Sequence, residues 1–315
     1  MKTILINSIN LVGAVAISLS LSAQYNKYAS KNVITEEVPQ THYNESTEMM
    51  DTVYVEREVQ ADNFGNALGN QYDLAVDGAF EGQTIALLHL YTGEGFDFNL
   101  PKQALKEKGF SVYRWQNAVP SVEELKEALD KSCQLWVISN QTQLLSEEHA
   151  EVIKEFFDSG KGVYIWGDNQ PYYADANYLA KELIGVEMNG NTMGNTVVGL
   201  QMNGKKAGVV PNHLITTGIQ NIYEGITIAT IDEHEDLTPI IYGSAENIVT
   251  AVYEKDGKRL ILDGGFTRLF IKWDTAGTGR YVKNAAAWLV NYERFGDEVV
   301  SNDINTEELE EVDTP

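Results

Sequence analysis

Apolar and polar positions along the chain follow a repeating pattern of a short buried strand and then an amphipathic helix. The first apolar run, residues 84–91, has the length and composition of a strand that is buried on both faces. Further strands are predicted at 110–115, 135–139 and 163–166, and a helix is predicted after each of the four. Four such repeats within about 100 residues predict right-handed crossovers and a parallel sheet with helices on both faces.

The pattern changes after the fourth repeat. Frequent Gly and Asn between residues 185 and 212 predict a surface excursion with short strands, or a lid over a ligand crevice. Strands are predicted again at 226–231, 239–242, 248–254 and 259–262. The last two flank Asp256-Gly257, a typical tight-hairpin dipeptide, and an apolar helix follows them. We therefore expect an α/β three-layer sandwich with a mainly parallel sheet and a C-terminal β-hairpin plus helix.

Composition divides the chain into four parts. Residues 1–23 have a Lys, an apolar run and small residues before Gln24, which predicts a secretory signal peptide and hence a secreted, periplasmic or cell-surface protein. Residues 24–78 are polar and predict a flexible acidic tether with at most one edge strand, at 52–59. The α/β domain is expected at 79–296, and residues 297–315, with eight acids and no base, predict an acidic disordered tail.

The net charge of -23 argues against a nucleic-acid partner, because phosphate binding needs clustered Lys and Arg. No apolar segment after residue 23 is long enough for a membrane span. The single Cys133 cannot form an internal disulfide, and it precedes its strand, which places it at the wrong end of the sheet for catalysis. No glycine-rich nucleotide motif and no metal-ligand spacing is present, so no cofactor and no metal are expected.

Candidate binding residues follow the ends of the predicted strands. In an open parallel sheet, the loops after the carboxyl ends of the strands line the ligand crevice. The residues with suitable side chains at these places are His89, Asp168, Asn169, Asp175, Asp263, Arg268, Trp273, Asp274 and Arg280. The carboxylates could bind a cation or sugar hydroxyl groups. The alternative is structural, with Asp175 capping a helix, Asp263 binding backbone N–H groups, and Arg268 or Arg280 pairing with acids.

Three motifs resemble one family. They are N-Q-P-Y-Y-A-D-A-N-Y-L at 169–179, Y-E-G-I-T-I-A at 223–229, and D-G-G-F-T-R-L with W-D-T-A-G-T-G-R-Y-V-K-N-A-A-A-W-L within 263–289. They resemble the uncharacterised class I glutamine amidotransferase-like domain that accompanies von Willebrand factor A domains. The resemblance implies a flavodoxin-like fold over about residues 80–296 and carries no catalytic residues with it. The chain has no D-x-S-x-S metal-adhesion motif, so any von Willebrand A partner would be a separate chain.

Catalytic members of the amidotransferase-like fold carry a Cys or Ser nucleophile in the turn after the fourth strand. Here that turn reads Y-I-W-G-D-N-Q-P, with Asp168 and Asn169 in place of a thiol or hydroxyl group. The sequence therefore favours a non-catalytic domain that binds a small molecule, a glycan or a protein. Two alternatives stay open: a carbohydrate-active hydrolase or isomerase-like enzyme using His89 and the crevice carboxylates, and a surface protein held by its tether and tail.

Overall fold

The computed structural model describes residues 25–91 and 93–295. Its centre is a sheet of eight strands: β3 (Thr84–His89), β4 (Ser111–Gln116), β5 (Gln134–Ile138), β6 (Gly162–Trp166), β9 (Gly208–Val209), β12 (Leu237–Tyr242), β13 (Ile248–Lys255) and β14 (Lys258–Asp263). Their order across the sheet is β4-β3-β5-β6-β14-β13-β12-β9. Neighbours from β4 to β14 pair in parallel, and the last three strands are antiparallel. The mainly parallel sheet is confirmed.

Helices cover both faces of this sheet. They are α1 (Asn99–Glu107), α2 (Val122–Asp130), α3 (Glu147–Asp158), α4 (Ala174–Ile184), α5 (Thr278–Leu289) and α6 (Tyr292–Phe295). Apolar residues of α1 and α5 form one core with one face of the sheet. Those of α2, α3 and α4 form a second core with the opposite face. The central strands β3, β5, β6 and β14 are buried on both sides, which explains their unbroken apolar runs. The three-layer sandwich is confirmed.

The C-terminal hairpin forms as its sequence predicts. Asp256 and Gly257 connect β13 to β14 with φ angles of 53° and 70°. Two positive φ angles match the twist of the flanking strands, and Asp-Gly adopts them readily. Because β14 then pairs with β6 in parallel, the carboxyl ends of these two strands lie side by side.

The excursion after α4 forms short antiparallel pairs. Its strands are β7 (Met188–Met193), β8 (Val197–Gly199), β10 (Asn221–Tyr223) and β11 (Thr227–Ile231). β7 pairs with β11, and β8 pairs with β10. Val198, Ile222 and Ile228 are buried in the core shared with α5, so this region is packed onto the domain.

The described part of the segment predicted as a flexible tether, residues 25–78, contains two strands. β1 (Thr35–Asn44) and β2 (Met49–Glu58) form a hairpin, where one edge strand was expected. Tyr28, Val33, Ala67 and Tyr72 form a small apolar cluster of their own. The polar composition suggested a solvated segment, but its Asn side chains form hydrogen bonds with the domain. Asn32 Nδ2 donates to the carbonyls of Thr216 and Ile219, and the backbone N–H groups of Gln220 and Asn221 donate to Asn66 Oδ1.

A buried carboxylate fastens this N-terminal segment to the domain. Asp73 is fully buried. Lys108 Nζ lies 2.9 Å from its Oδ2, Lys283 Nζ lies 2.8 Å from the same oxygen, and Arg280 Nε lies 2.8 Å from Oδ1. Three cations within about 3 Å of one carboxylate offset part of the cost of removing the charges from water. Arg280, predicted as a ligand residue, is held in this ion-pair cluster.

Two absences apply to the described residues. No helix in 25–91 or 93–295 has the length and apolar character of a membrane span. The same residues contain no group of His, Cys, Asp and Glu side chains arranged to hold a metal ion. The predicted signal peptide (1–23) and acidic tail (297–315) lie outside the described residues.

Candidate functional site

The carboxyl edge of the parallel strands brings Asp168 and Asp263 to the same side of the sheet. Asp263 ends β14 opposite Trp166 of β6, and Asp168 follows Trp166 by two residues. The backbone N–H of Gly167 donates to the carbonyl of Asp263 at 2.8 Å. The parallel pairing of β6 and β14 therefore brings Asp168 and Asp263 to the same edge of the sheet, as expected from the sequence.

Asp263 is the centre of a buried hydrogen-bond network. Its Oδ2 accepts from Tyr281 Oη at 2.6 Å, Thr250 Oγ1 at 3.0 Å, Arg268 Nη1 at 3.1 Å and Tyr164 Oη at 3.3 Å. Its Oδ1 accepts from the backbone N–H of Gly265 at 2.8 Å. Both oxygens are occupied and the side chain has no exposed surface. Asp263 and Arg268 thus form an internal ion pair, which matches the structural alternative.

The phenols in this network are held in their neutral form. Burial raises the pKa of Tyr164 and of Tyr281 well above the ordinary value, and the negative charge of Asp263 acts in the same direction. Burial lowers the pKa of Arg268, but Asp263, with smaller contributions from Tyr281, Tyr164 and Glu224, acts in the opposite direction, and the pKa is raised overall. A neutral phenol donates to a carboxylate, so the protonation states reinforce the network. None of these groups is placed to exchange protons with a ligand in solvent.

The other carboxylates of the edge have separate surroundings. Asp175 is buried in α4, where its Oδ1 accepts from the backbone N–H groups of Leu144 at 2.7 Å and Leu145 at 3.0 Å. It therefore fixes the loop between β5 and α3. Asp168 is buried. Asn169 Oδ1 accepts a hydrogen bond from Thr227 Oγ1 at 2.8 Å. Asp175 thus has its own local role and shares no site with Asp263.

His89 lies inside an aromatic cluster at the end of β3. Its ring centroid is 4.8 Å from that of Phe96 and 6.2 Å from that of Phe98. Phe96 in turn lies 5.0 Å from Phe266 and 4.9 Å from Phe270. The side chain of His89 has no exposed surface, and burial together with the charge of Arg114 lowers its pKa to about 4. His89 is a neutral, packed histidine, as its place within a strand permits.

This burial predicts a loss of stability in mild acid. In the unfolded chain His89 takes up a proton near pH 6.5, whereas in the folded protein it does so only near pH 4. The unfolded chain therefore binds a proton that the folded protein does not, and the free energy of unfolding falls as pH falls from 6.5 toward 4. Between pH 7 and pH 5 this effect of His89 lowers the free energy of unfolding by about 2 kcal/mol. Urea unfolding of wild type and His89→Phe at both pH values should show this difference. Equal pH dependence in the two proteins would contradict the assignment.

Trp273, Asp274 and Arg280 line one cavity on the α1 and α5 side of the sheet. Its volume is about 360 Å³. The walls come from the N-terminal segment (residues 62–73), from α1, and from the loop and first turn of α5 (residues 273–283). Trp273 is half-buried and Asp274 is exposed, while Arg280 is held by Asp73. The structure therefore brings three of the nine predicted site residues together, at a place distinct from the Asp263 network.

The indole of Trp273 covers the start of α5. A Cβ added at Gly279 would lie 3.4 Å from Cζ2 of that ring and 3.7 Å from Nε1. Leu68 and Leu100, both exposed, add apolar surface at the cavity wall. Gln103, Glu107 and Asp274 add polar groups. An aromatic face beside a few polar groups is the usual make-up of a site for a small polar ligand.

No model of a protein family matches the chain, and no curated protein matches it. Among solved structures, exo-β-1,4-mannosidase Op5Man5 from Opitutaceae bacterium strain TAV5 is similar over 68% of this chain at 10% identity and a TM-score of 0.36. The chain spans 36% of the length of that protein. A protein described as ThuA-like from Parabacteroides merdae is similar over 67% of this chain and 90% of its own, at 12% identity and a TM-score of 0.41. At these scores the assignment of the flavodoxin-like fold rests on the sheet itself.

Several residues that line the cavity were not predicted as site residues from the sequence. Thr278 and Gly279 belong to the run T-A-G-T-G-R, whose glycines match no nucleotide-binding pattern. The signal that could have identified them is a Gly-Thr-Gly sequence at a helix start with no acid in the first turn. Asp62, Asn66 and Leu68 were assigned to the tether, and no local pattern indicates that they line a cavity together with α5.

Proposed function

We propose that the protein is a non-catalytic binding domain, of the amidotransferase-like type, whose ligand site is the cavity lined by Trp273. One observation carries the proposal. Both carboxylate oxygens of Asp263, at the crevice position, accept from internal donors, whereas the half-buried Trp273 lines an open cavity together with polar side chains such as Gln103 and Asp274. We further propose that the domain acts outside the cytoplasm, from the signal-like residues 1–23.

The chemistry of the cavity favours a saccharide or another small polyhydroxylated molecule. An indole ring offers a flat apolar face on which a sugar ring can pack, and its Nε1 can donate one hydrogen bond. Asp274 and Gln103 can accept and donate at hydroxyl groups along the rim. A volume of about 360 Å³ is at the lower end of the range for small-molecule sites, which suits one or two sugar rings.

The alternative of a carbohydrate-active enzyme has less support. Acid and base catalysis requires two titratable groups within reach of one reacting bond. Asp263 is fully buried and both of its oxygens accept from internal donors, Asp175 binds backbone N–H groups, and His89 is enclosed by Phe96 and Phe98. Cys133 is no substitute nucleophile, because burial raises its pKa to about 12. These surroundings support a binder over a hydrolase or isomerase.

Substitution of Trp273 should weaken the binding of saccharides. The test is a thermal-shift screen of the purified protein against neutral and acidic monosaccharides and disaccharides, followed by titration of those that raise the Tm. Trp273→Ala should weaken binding by about 5- to 150-fold, because losing an aromatic platform costs about 1–3 kcal/mol by analogy with stacked bases. Trp273→Phe, which keeps an aromatic face, should retain most of the affinity. Asn169→Ala serves as the matched control at the sheet edge.

The same experiment can exclude the proposal. If Asn169→Ala removes binding and Trp273→Ala leaves it intact, the ligand binds at the carboxyl edge of the sheet. Intrinsic fluorescence gives a second readout, since Trp273 is the only half-buried tryptophan among the described residues, and the other four are buried. A ligand that changes the emission of wild type but not that of Trp273→Phe contacts this ring.

A further inference from the structure

The two cations in the wall of the Trp273 cavity are already paired with acids of the protein. The charged side chains that line the cavity are Asp62, Asp73, Glu107, Asp274, Arg280 and Lys283. Arg280 Nε lies 2.8 Å from Asp73 Oδ1, and Lys283 Nζ lies 2.8 Å from Asp73 Oδ2. Lys283 Nζ also lies 3.0 Å from Glu107 Oε2. Neither cation is therefore available to neutralise the remaining carboxylates of the wall.

Those remaining carboxylates, Asp274 and Asp62, have no counter-ion within the described residues. Asp274 is exposed. Lys272, two residues before it, instead donates to Asn195 Oδ1 at 2.9 Å. Asp62 accepts hydrogen bonds at 2.8–3.2 Å from neutral N–H groups of residues 64–66, which leave its negative charge in place. The cavity wall thus carries two uncompensated negative charges.

The indole of Trp273 adds an attraction of the same kind. The face of an aromatic ring carries partial negative charge and attracts a cation placed over it, and Trp is the strongest of the aromatic residues in this respect. Trp273 is half-buried and precedes Asp274 in the same cavity wall. A cation in the cavity is therefore attracted by the ring and by the carboxylates, whereas a neutral group gains neither attraction and an anion is repelled.

We propose that the cavity binds a saccharide that carries a protonated amino group, with Trp273 and Asp274 as the residues that recognise this group. The inference rests on the proposed function and adds the charge and the chemical class of the ligand. An ammonium group has three donors and no acceptor, which suits a wall of carboxylates. Gln103 offers a donor and an acceptor to the sugar hydroxyl groups, and the exposed Leu68 and Leu100 offer apolar surface to the ring.

Three sugars with the same ring separate the effect of charge from that of shape. Glucosamine, glucose and N-acetylglucosamine differ at one ring position, and an amine is protonated at about pH 6.5. In calorimetry at that pH, glucosamine should bind about tenfold more tightly than either neutral sugar, because a cation–π contact and a partly exposed ion pair each add a few-fold. Raising the salt concentration from about 0.05 M to about 0.5 M should reduce this advantage by screening.

Two results with these probes would overturn the inference. Equal affinity for the three sugars would exclude recognition of the amino group. Ethylammonium is the probe for a simple cation site, since it carries the charge without the sugar ring. If ethylammonium binds as tightly as glucosamine, the ligand is not a saccharide.

Substitution of Asp274 tests the residue that carries the charge. Asp274→Asn keeps the shape of the side chain and should weaken the binding of glucosamine about fivefold more than the binding of glucose. Glu235→Gln is the matched control, because it removes one negative charge from an exposed side chain outside the cavity. If both variants weaken the binding of glucosamine equally, the preference comes from the net charge of the protein, and the assignment to Asp274 is wrong.

Failure of this inference and failure of the proposed function give different results. Equal binding of amino and neutral sugars, still weakened in Trp273→Ala, would overturn the amino-group site and leave the binding cavity in place. No binding of any of these sugars would overturn both. A preference for glucosamine that survives Trp273→Ala and Asp274→Asn unchanged would place the amino-group site outside this cavity.

Discussion

Asp263→Asn should lower the free energy of unfolding by about 3–5 kcal/mol, the usual cost of removing one partner of a buried ion pair. The amide has nearly the same shape as the carboxylate, so the loss comes from the charge. Arg268 would remain fully buried, with its nearest counter-ion gone. One amide group also cannot accept from all of Tyr281, Thr250 and Arg268. Urea unfolding monitored by circular dichroism gives the free energy.

Two further variants separate the charge from the hydrogen bonds. Tyr281→Phe removes one donor to the carboxylate, at 2.6 Å, and should cost about 1.5–3 kcal/mol. In the double variant Asp263→Asn/Arg268→Met no unpaired charge is left, so it should be more stable than Asp263→Asn alone. A double variant that is less stable than the single one would show that the unpaired charge is not the main cost.

Asp73→Asn should have an effect of similar size, about 3–5 kcal/mol, because it removes the shared counter-ion of three cations. Lys108 is fully buried, and Arg280 and Lys283 are nearly so. Lys108, Arg280 and Lys283 each keep at least one other hydrogen-bond or ion-pair partner. These partners limit the loss in the free energy of unfolding. The N-terminal segment is attached through this carboxylate, so limited proteolysis should also cut residues 25–78 faster in the variant.

Glu107→Gln is the matched control. Glu107 contacts Lys283 at 3.0 Å but is about half exposed, and ion pairs of this kind contribute at most about 1 kcal/mol. If Asp73→Asn costs no more than Glu107→Gln, the cluster does not hold the segment in place. Unchanged proteolysis of the segment would lead to the same conclusion.

The sheet could be predicted from the sequence because its signals are local. Apolar runs such as 84–91 and 163–166, the Asp256-Gly257 turn and the capping residue Ser121 each specify an element from neighbouring residues alone. The N-terminal segment could not be predicted, since its stability comes from long-range contacts. The sequence around Asn66 and Asp73 has the polar composition of a solvated tail. It does not show that the partners of these two residues lie in residues 216–221 and in α5.

The site was predicted in part for the same reason. The rule that ligands bind at the carboxyl ends of parallel strands selected Asp168, Asp175 and Asp263, yet Asp175 and Asp263 serve the protein's own backbone and side chains. Trp273 and Asp274 were selected by the same rule because they follow β14, although the cavity that they line depends on residues 62–73.

The cavity is built from two ends of the chain, and this has a consequence for folding. The pairing of Asp73 with Arg280 spans 207 positions in the sequence. Contacts at such separation carry a high loop-closure entropy, so they form after the more local contacts of the sheet. The proposed binding cavity is therefore expected to be completed late, after the central sheet has formed.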